Sequence, residues 1–532
     1  MTAGPQSDRD HAAGLARNTA VMAAGTLLSR MTGFGRLFAL AYALGFTRLT
    51  DTYNLANVTP NIVYELVLGG VLSATLVPVF VSRLSTEEDE DDAWRAISAV
   101  VTAAGAVLVV VSLLFLVLAP LLIRLYTAGN DGASADEQRA VATTLLRMFA
   151  PQVAFYGMVT VTTALLQTRR RFAVPMFAPV LNNLVVIAVL LALPHVADEV
   201  SLSGVGGDTS ALVLLGIGTT AGVAAMALVQ LPALWRAGVR LRFVWDPRHE
   251  AVRTVLRLSG WTFGLVAANQ VALAIVLILA NGRAGDVAAY QAGLVFFLLP
   301  YGVFAVSVMS AMLPDMSQRW SRGDVQGLRQ RVDLGLRTIA AVLVPAAVGY
   351  VCLARPIVRV VLDHGALRAS SAETTAEVLA LLALGLPAYA SYLFLMRTYQ
   401  AMQDTRSMFL LYLLENTLNV ALAFALYPAL GVQGLALAYA LAYVGGSVAA
   451  LAHLHARTGG IATAAAGRAW LRIGGASAVM AGAVLLAAAL VAPAAAKVGA
   501  GIVAGVTVYL VVAKILGVQE LSMLLRTRRP PA

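Results

Sequence analysis

Long apolar runs, parted by short polar segments, fill most of this chain. They are continuous and rich in Ala, Leu and Val, with no alternation of apolar and polar positions. That pattern excludes a strand barrel and predicts spanning helices, each needing about 20 mostly apolar residues. Fourteen such runs stand out: 19–47, 50–83, 93–126, 138–168, 172–196, 210–236, 252–281, 286–316, 329–355, 372–403, 407–428, 432–455, 468–493 and 498–518. The first eighteen residues, through Asn18, are polar and include Asp8, Arg9 and Asp10. The apolar run that follows is too long for a cleavable signal, so it is expected to stay in the membrane. The expected fold class is an all-α polytopic membrane protein with fourteen transmembrane helices.

Composition sharpens this. The 532 residues are 59% hydrophobic and only 12% charged, against about 25% charged in an ordinary soluble domain. The mean hydropathy is +0.78. A soluble enzyme, a disordered chain and a nucleic-acid-binding domain are excluded. The net charge of +10 therefore reads as Arg-rich cytoplasmic loops facing anionic lipid. Arginines collect in the loops after spans four, six, eight and twelve and in the tail: Arg169, Arg170 and Arg171; Arg236, Arg240, Arg242 and Arg248; Arg319 and Arg322; Arg457; and Arg526, Arg528 and Arg529. The opposite stretch His195–Asp208 has acids and no Lys or Arg. Both termini are expected in the cytoplasm. The acidic run Glu87 to Asp92 dissents, but acids weigh little in this rule. The single cysteine, Cys352, excludes a disulfide framework and a Cys-based cluster. The histidines lack metal-ligand spacing, and no phosphate-binding loop, nucleophile elbow or zinc-protease motif occurs. No cofactor is expected, leaving a coupling ion, H⁺ or Na⁺, as the open question.

An offset of 236 residues superposes three prolines: Pro78 on Pro314, Pro120 on Pro356 and Pro151 on Pro387. The same register pairs Gly129 with Gly365, Ala154 with Ala390, Tyr156 with Tyr392, Gln167 with Gln403 and Asn183 with Asn419. The expected organisation is a tail (1–18), an N-lobe of six helices (19–236), a linker (237–251), a C-lobe of six (252–455), helices thirteen and fourteen (456–518) and a basic tail (519–532). Six is even, so both lobes insert the same way up, related by a pseudo-two-fold along the membrane normal. Two such lobes suit a carrier with alternating access. The small-residue-rich last two helices suit an extra groove or a packing face.

Ionisable groups at bilayer depth cost several kcal/mol and usually face a cavity or a partner. Arg30 and Arg36 lie about the middle of the first run; Ser29 and Arg36, seven apart, share a helical face. Run two carries Asp51, Asn54, Asn57, Pro60, Asn61 and Glu65. Glu65 either carries a coupling cation or bridges to Arg30 or Arg36, and Asp51 is a second candidate for an ion or charge relay. For the second lobe the candidates are Asn269, Gln270, Gln291, Arg397 and Glu415, with Gln400, Asn416 and Asn419 nearby in sequence; Arg397 and Glu415 are a possible pair. No oxygen cluster announces a metal. Arginine's planar fork suits phosphate oxygens, so the expected cargo is an anionic, phosphorylated amphiphile.

Ser29-Arg30-Met31-Thr32-Gly33-Phe34-Gly35-Arg36 resembles the S-R-x-x-G-F-x-R segment of the MurJ (MviN) family of lipid II flippases. Thr50-Asp51-Thr52-Tyr53 looks like its T-D-A-F, Pro60-Asn61 its P-N, and Ser73-Ala74 through Val77-Pro78 its S-x-x-F-V-P. The resemblance implies the multidrug/oligosaccharidyl-lipid/polysaccharide exporter superfamily. It implies transport of the undecaprenyl-pyrophosphate-linked peptidoglycan precursor across the bacterial plasma membrane. It also implies that Arg30 and Arg36, with Ser29, Asn57 and Asn61 beside them, meet the substrate. The implied partners are lipid II, membrane lipids and cell-wall synthases, with no nucleic acid. The chain departs from the family at Leu37 (Asp in the family), at Tyr64-Glu65 (Arg-Arg), at Gly69 (Glu) and at Gly293, in Tyr290-Gln291-Ala292-Gly293-Leu294, where the family has Arg. Competing readings are an exporter of another lipid-linked glycan and a non-transporting scaffold for wall synthesis. A cation-coupled drug antiporter would want an acidic cavity, against which the two arginines argue.

Overall fold

The computed structural model describes residues 5–66, 76, 78–82, 84, 90–128, 130, 134–460 and 464–520. Gly69, Gly70, Ser73, Ala74, Val77, Glu87, Glu88, Asp89, Gly129, Arg526, Arg528 and Arg529 lie outside them. The described residues form helices and no strand. Eleven of these helices are long and apolar enough to cross a membrane, or twelve when a pair bent by 48° counts as one span. The helices over the first two predicted spans are not among them. One is interrupted by Ser29, Arg30, Thr32 and Arg36; the other is described over only 17 residues and is rich in Asn and Thr. The polar residues that mark these helices as candidate site elements are what lower their hydropathy.

The chain divides into two compact units between Gln270 and Val271. The first contains α1 (Pro5–Leu44), α2 (Arg48–Tyr64), α3 (Glu90–Tyr126), α4 (Ala135–Phe149), α5 (Gln152–Thr168), α6 (Ala173–Val196), the short α7 (Leu202–Gly207), α8 (Thr209–Leu228) and the short α9 (Leu231–Arg236). It also takes the first two thirds of α10 (Glu250–Ala280). Helix α6 packs on both α1 and α8, α2 on α4, and α3 on α5. Small residues set these approaches, as lipid-embedded helices require, since lipid supplies no hydrophobic drive between them. A Cβ at Gly25 of α1 would stand 2.7 Å from the Met176 Cβ of α6, and one at Gly222 of α8 would stand 2.6 Å from Asn182 Oδ1 of α6. The core gathers Leu44, Leu49, Tyr53, Leu145, Phe149, Leu193 and Leu215. Within it the Tyr53 and Thr219 hydroxyls, 3.1 Å apart, tie α2 to α8.

The second unit continues with α11 (Asp286–Pro300), a π-turn (Tyr301–Ala305), α12 (Val306–Ser321), α13 (Val325–Leu362), α14 (Ala369–Leu384), α15 (Leu386–Ala401), α16 (Thr405–Leu430), α17 (Val432–Thr458), α18 (Ala464–Ala489) and α19 (Ala494–Ile515). Helix α13 is the hub, touching α12, α14, α15, α18 and α19, while α17 packs on α14, α15 and α16. The last two helices pair with each other and lean on α13, where the Tyr509 hydroxyl donates to the Ala341 carbonyl.

Both units break a helix at a proline of the sequence repeat. In the first, α4 stops at Ala150 and Pro151 precedes α5. In the second, α14 and α15 bend by 48° at Gly385, with Pro387 in the first turn of α15. The broken helices then end alike, on left-handed residues that are not glycine: Arg170 (φ 54°) and Gln403 (φ 57°). These two are 233 residues apart, against 236 for the two prolines.

The bend at Gly385 depends on close approach: a Cβ there would lie 2.6 Å from Ala440 Cα in α17. Gly385→Val is expected to destabilise by about 1–3 kcal/mol through overpacking, read as a lowered unfolding temperature in detergent. Gly482→Ala, where a Cβ meets nothing within 4 Å, should leave that temperature unchanged or slightly raised.

Candidate functional site

In the first unit the candidate site is built on α1, α2, α5 and α6. The Nδ2 of Asn183 in α6 donates to the Ser29 carbonyl (3.2 Å) and to Thr32 Oγ1 (3.1 Å) of α1. Gly33 faces the same amide at 3.6 Å and Gly35 faces Ile187 at 3.5 Å, measured from a Cβ built at each. This packing orients α1. Arg36 is half-buried and Arg30 exposed. The Arg36 charge acts on Tyr156 of α5, whose ring lies 5.3 Å from that of Tyr64 at the end of α2. Tyr64 in turn shares a hydrogen bond with Thr160 of α5. Three helices therefore bring an arginine and two phenols together. Sequence reading passed over Tyr64, Tyr156 and Asn183 as site residues; their only signal was a polar tip in an otherwise apolar helix.

Asn57, Asn61 and Glu65 succeed one another at four-residue spacing along one face of α2, all half-buried. Glu65 stands just past the helix end, its backbone N–H bonded to the Asn61 and Ile62 carbonyls. Among the described residues no ion pair joins Glu65 to Arg30 or Arg36. Asp51 is fully buried in the first turn of α2 among Thr50 and Thr52, one helix turn after another away from Glu65. Asn54 Nδ2 is buried there without a hydrogen-bond partner.

In the second unit Glu415 is the most buried of the expected residues. Glu415 of α16 is 1% exposed, and its Oε2 has no partner. It packs on Gly446 of α17, where a Cβ would lie 3.1 Å from Glu415 Cγ and 3.2 Å from the Tyr392 ring. Tyr290, Tyr392, Tyr412, Tyr439 and Tyr443 lie within electrostatic range of Glu415. These rings interlock, Tyr392 at 5.5 Å from both Tyr412 and Tyr443, and Tyr439 at 4.8 Å from Tyr443. Asn419, one turn further along α16, also leaves a buried Oδ1 unpartnered, as do Tyr392 Oη and Gln291 Nε2. Arg397 does not pair with Glu415. It is exposed, and its Nη1 donates to Gln400 Oε1 at 2.7 Å, one turn along α15.

Asn269 and Gln270 were expected in the second lobe's cavity. They fall on the first unit's side of the division, Asn269 exposed and Gln270 buried. The physical reason is the start of α10: Ala251, Val252 and Val255 are part of the first unit's core. The departures from the family pattern also have structural correlates. Leu37 is buried. Gly293 of α11 lies against α14, where a Cβ would stand 2.7 Å from Val378 Cγ1 and 3.2 Å from Leu382 Cδ1. A helix contact occupies the position where the family has arginine.

Beside α18 and α19 runs an apolar groove of about 460 Å³, walled by Tyr350 and Leu353 of α13, Met480 of α18 and Gly501, Gly505 and Tyr509 of α19. Among the described residues no group of three His, Cys, Asp or Glu gathers to hold a metal.

The fold is shared with solved membrane transporters. The fold matches a lipid II flippase MurJ in an inward closed conformation, at a TM-score of 0.77 and 21% identity, over 93% of this chain and 98% of that one. It also matches an inward-facing multidrug resistance MATE family transporter of the MOP superfamily, at a TM-score of 0.65 and 14% identity, over 80% of this chain and 94% of that one. In sequence, the "Probable lipid II flippase MurJ" of Rhizobium tropici is 27% identical over 418 residues, 78% of this chain and 76% of that protein. The family model described as lipid II flippase MurJ matches residues 40–500. The chain is thus a multi-pass bacterial membrane protein of a transporter family, and it belongs to the MurJ family of lipid II flippases.

Restoring the family's arginine at Gly293 should fail for steric reasons. Gly293→Arg is expected to abolish the monodisperse peak in detergent gel filtration, while Gly293→Ala gives a stable protein with a lowered unfolding temperature. A well-folded Gly293→Arg would contradict the packing described.

Proposed function

We propose that this protein carries lipid II, the undecaprenyl-pyrophosphate-linked peptidoglycan precursor, from the inner to the outer leaflet of the plasma membrane. It does so as a carrier rather than an enzyme, by alternating access between two six-helix lobes in a fourteen-helix arrangement. Both termini lie in the cytoplasm. The matching helix breaks at Pro151 and Pro387 and the left-handed ends at Arg170 and Gln403 support the repeat. The Arg-rich loops support the orientation.

The observation that carries the reading is the pair Arg30 and Arg36 on α1, neither joined to an acid among the described residues. A guanidinium at membrane depth without a counter-charge calls for an anionic ligand. A pyrophosphate supplies both the charge and the oxygens that the planar fork binds in pairs. Asn57 and Asn61 add neutral donors for the headgroup. The second unit's apolar groove along α13, α18 and α19 is chemically suited to a polyprenyl chain, which carries no group that needs a polar partner.

Glu415 is the best candidate for the coupling group. A carboxylate enclosed by tyrosines, with an unpartnered oxygen, costs several kcal/mol unless a proton or a cation neutralises it. Binding and release of H⁺ or Na⁺ there would alter the packing of α15, α16 and α17. The membrane potential supplies a second drive: one charge moved through 100 mV is worth about 2.3 kcal/mol, and an interior-negative potential pushes an anionic cargo outward.

Three outcomes test this. In a flippase-depleted strain, Arg30→Ala or Arg36→Ala should accumulate as protein yet fail to support growth, with lipid II retained in the inner leaflet; Arg→Lys should rescue in part. Growth with both arginines replaced by Ala would contradict the assignment, and an unchanged lipid II distribution on depletion would favour a scaffold. Collapsing the potential with ΔpH maintained should stop flipping in proteoliposomes, and undiminished flipping without any gradient would show that the potential is dispensable. Glu415→Gln should cut the flipping rate at least tenfold at unchanged protein level; a wild-type rate would remove Glu415 from the mechanism.

A further inference from the structure

The segment after α9 is not a free loop. It runs extended along α3, held by two side-chain acceptors: Arg242 N–H donates to Ser98 Oγ (3.1 Å) and Val244 N–H to Thr102 Oγ1 (3.3 Å). Val239 and Val244 pack inward on the core shared by α3 and α5. Other residues of the segment face outward. Trp235 is 74% exposed, Phe243 85% and Trp245 61%, a degree of aromatic exposure that water disfavours and a membrane interface accommodates. Arg236, Arg240, Arg242 and Arg248 are exposed between them, four cations against one acid, Asp246.

The depth is right for a headgroup layer. On α3 the run of exposed apolar residues, beginning Val107, Val109, Val110, Leu113 and Leu114, starts five residues beyond the Thr102 anchor, or roughly 7 Å along the helix at 1.5 Å per residue. The nearby Glu90 accepts from Arg169 (3.4 Å) and from the Trp94 indole (3.2 Å), and Arg240 lies within electrostatic range of it.

Beneath the strap an apolar slot of about 300 Å³ opens between α3 and α5, walled by Val101, Gly105, Leu108, Gly157 and Val161 and roofed by Leu241 of the strap. Leu241 sits between Arg240 and Arg242, so the apolar slot and the cationic rim meet at one point.

We propose that this strap and slot form a binding site for an anionic phospholipid of the surrounding bilayer. One acyl chain lies in the slot between α3 and α5. The headgroup phosphate and its negative charge meet Arg240 and Arg242, and Phe243 and Trp245 sit at the interface around it. The site belongs wholly to the first unit and is separate from the α1 arginines, so its occupancy is independent of whether lipid II is the cargo. Its consequence is to pin the connection between the sixth and seventh spans to the membrane surface.

The test is native mass spectrometry of the full-length protein released from detergent micelles containing equal amounts of phosphatidylglycerol and phosphatidylcholine. The wild-type chain should retain one phosphatidylglycerol at least fivefold over phosphatidylcholine. Arg240→Gln with Arg242→Gln should bring that ratio to about one; the strap stays in place, because the Ser98 bond uses the backbone N–H of residue 242. Gly105→Leu should abolish retention of the single tight lipid, since a side chain there enters the slot and a Cβ meets no heavy atom within 4 Å. An unchanged unfolding temperature in both variants establishes that the fold is intact. Equal retention of the two lipids by the wild type, a preference that survives the arginine substitutions, or tight retention in Gly105→Leu would each overturn the proposal.

Discussion

A polar group at bilayer depth must find a partner, a counter-charge or water, and that one constraint sorts the polar residues of this protein into two kinds. Many are answered within the protein. Thr26, Thr32 and Thr59 return their hydroxyls to carbonyls four residues back. Gln152 donates to Thr220, and Gln230 accepts from Thr162 and Thr163, joining α5 to the end of α8. These residues hold helices together. Among the described residues the others are not answered by the groups around them: no acid pairs with Arg30 or Arg36, and Glu415, Asn419 and Tyr392 leave buried oxygens unpartnered. A membrane protein tolerates such groups where a ligand or an ion completes them. The substrate and coupling assignments both rest on this distinction.

The same constraint explains the helix geometry. Helices in lipid gain little by burying apolar surface against one another, so close contact relies on small residues and shared hydrogen bonds. Gly25 against Met176, Gly222 against Asn182 and Gly446 against Glu415 are contacts of this kind. The last two are comparable: in each unit a glycine of the helix that follows lets a polar side chain lie flat against it, and that side chain keeps an oxygen unpartnered.

Much of the fold was legible because hydropathy is a one-dimensional signal. The apolar runs correspond to helices, and the break at Pro151 was marked by the proline itself. Contacts between distant segments were not legible. Nothing in the sequence says that Asn183 reaches Ser29, 154 residues away, or that tyrosines from four helices gather near Glu415. The expected partnership of Arg397 with Glu415 failed because Gln400, on the same helix, is a nearer acceptor. Asn269 and Gln270 lie on the first unit's side of a division that falls inside the continuous helix α10, where the sequence offers no break.

The central claim is that the α1 arginines bind pyrophosphate. Its most direct test compares the affinity of the purified protein for undecaprenyl pyrophosphate and for the uncharged alcohol, undecaprenol, in the wild type and in the Arg30→Gln, Arg36→Gln double variant. Removing two charge-assisted contacts of about 1.5–3 kcal/mol each predicts that the wild type prefers the pyrophosphate by at least a hundredfold and that the double variant binds both lipids alike. An equal preference for the pyrophosphate in the wild type and the double variant would contradict the account.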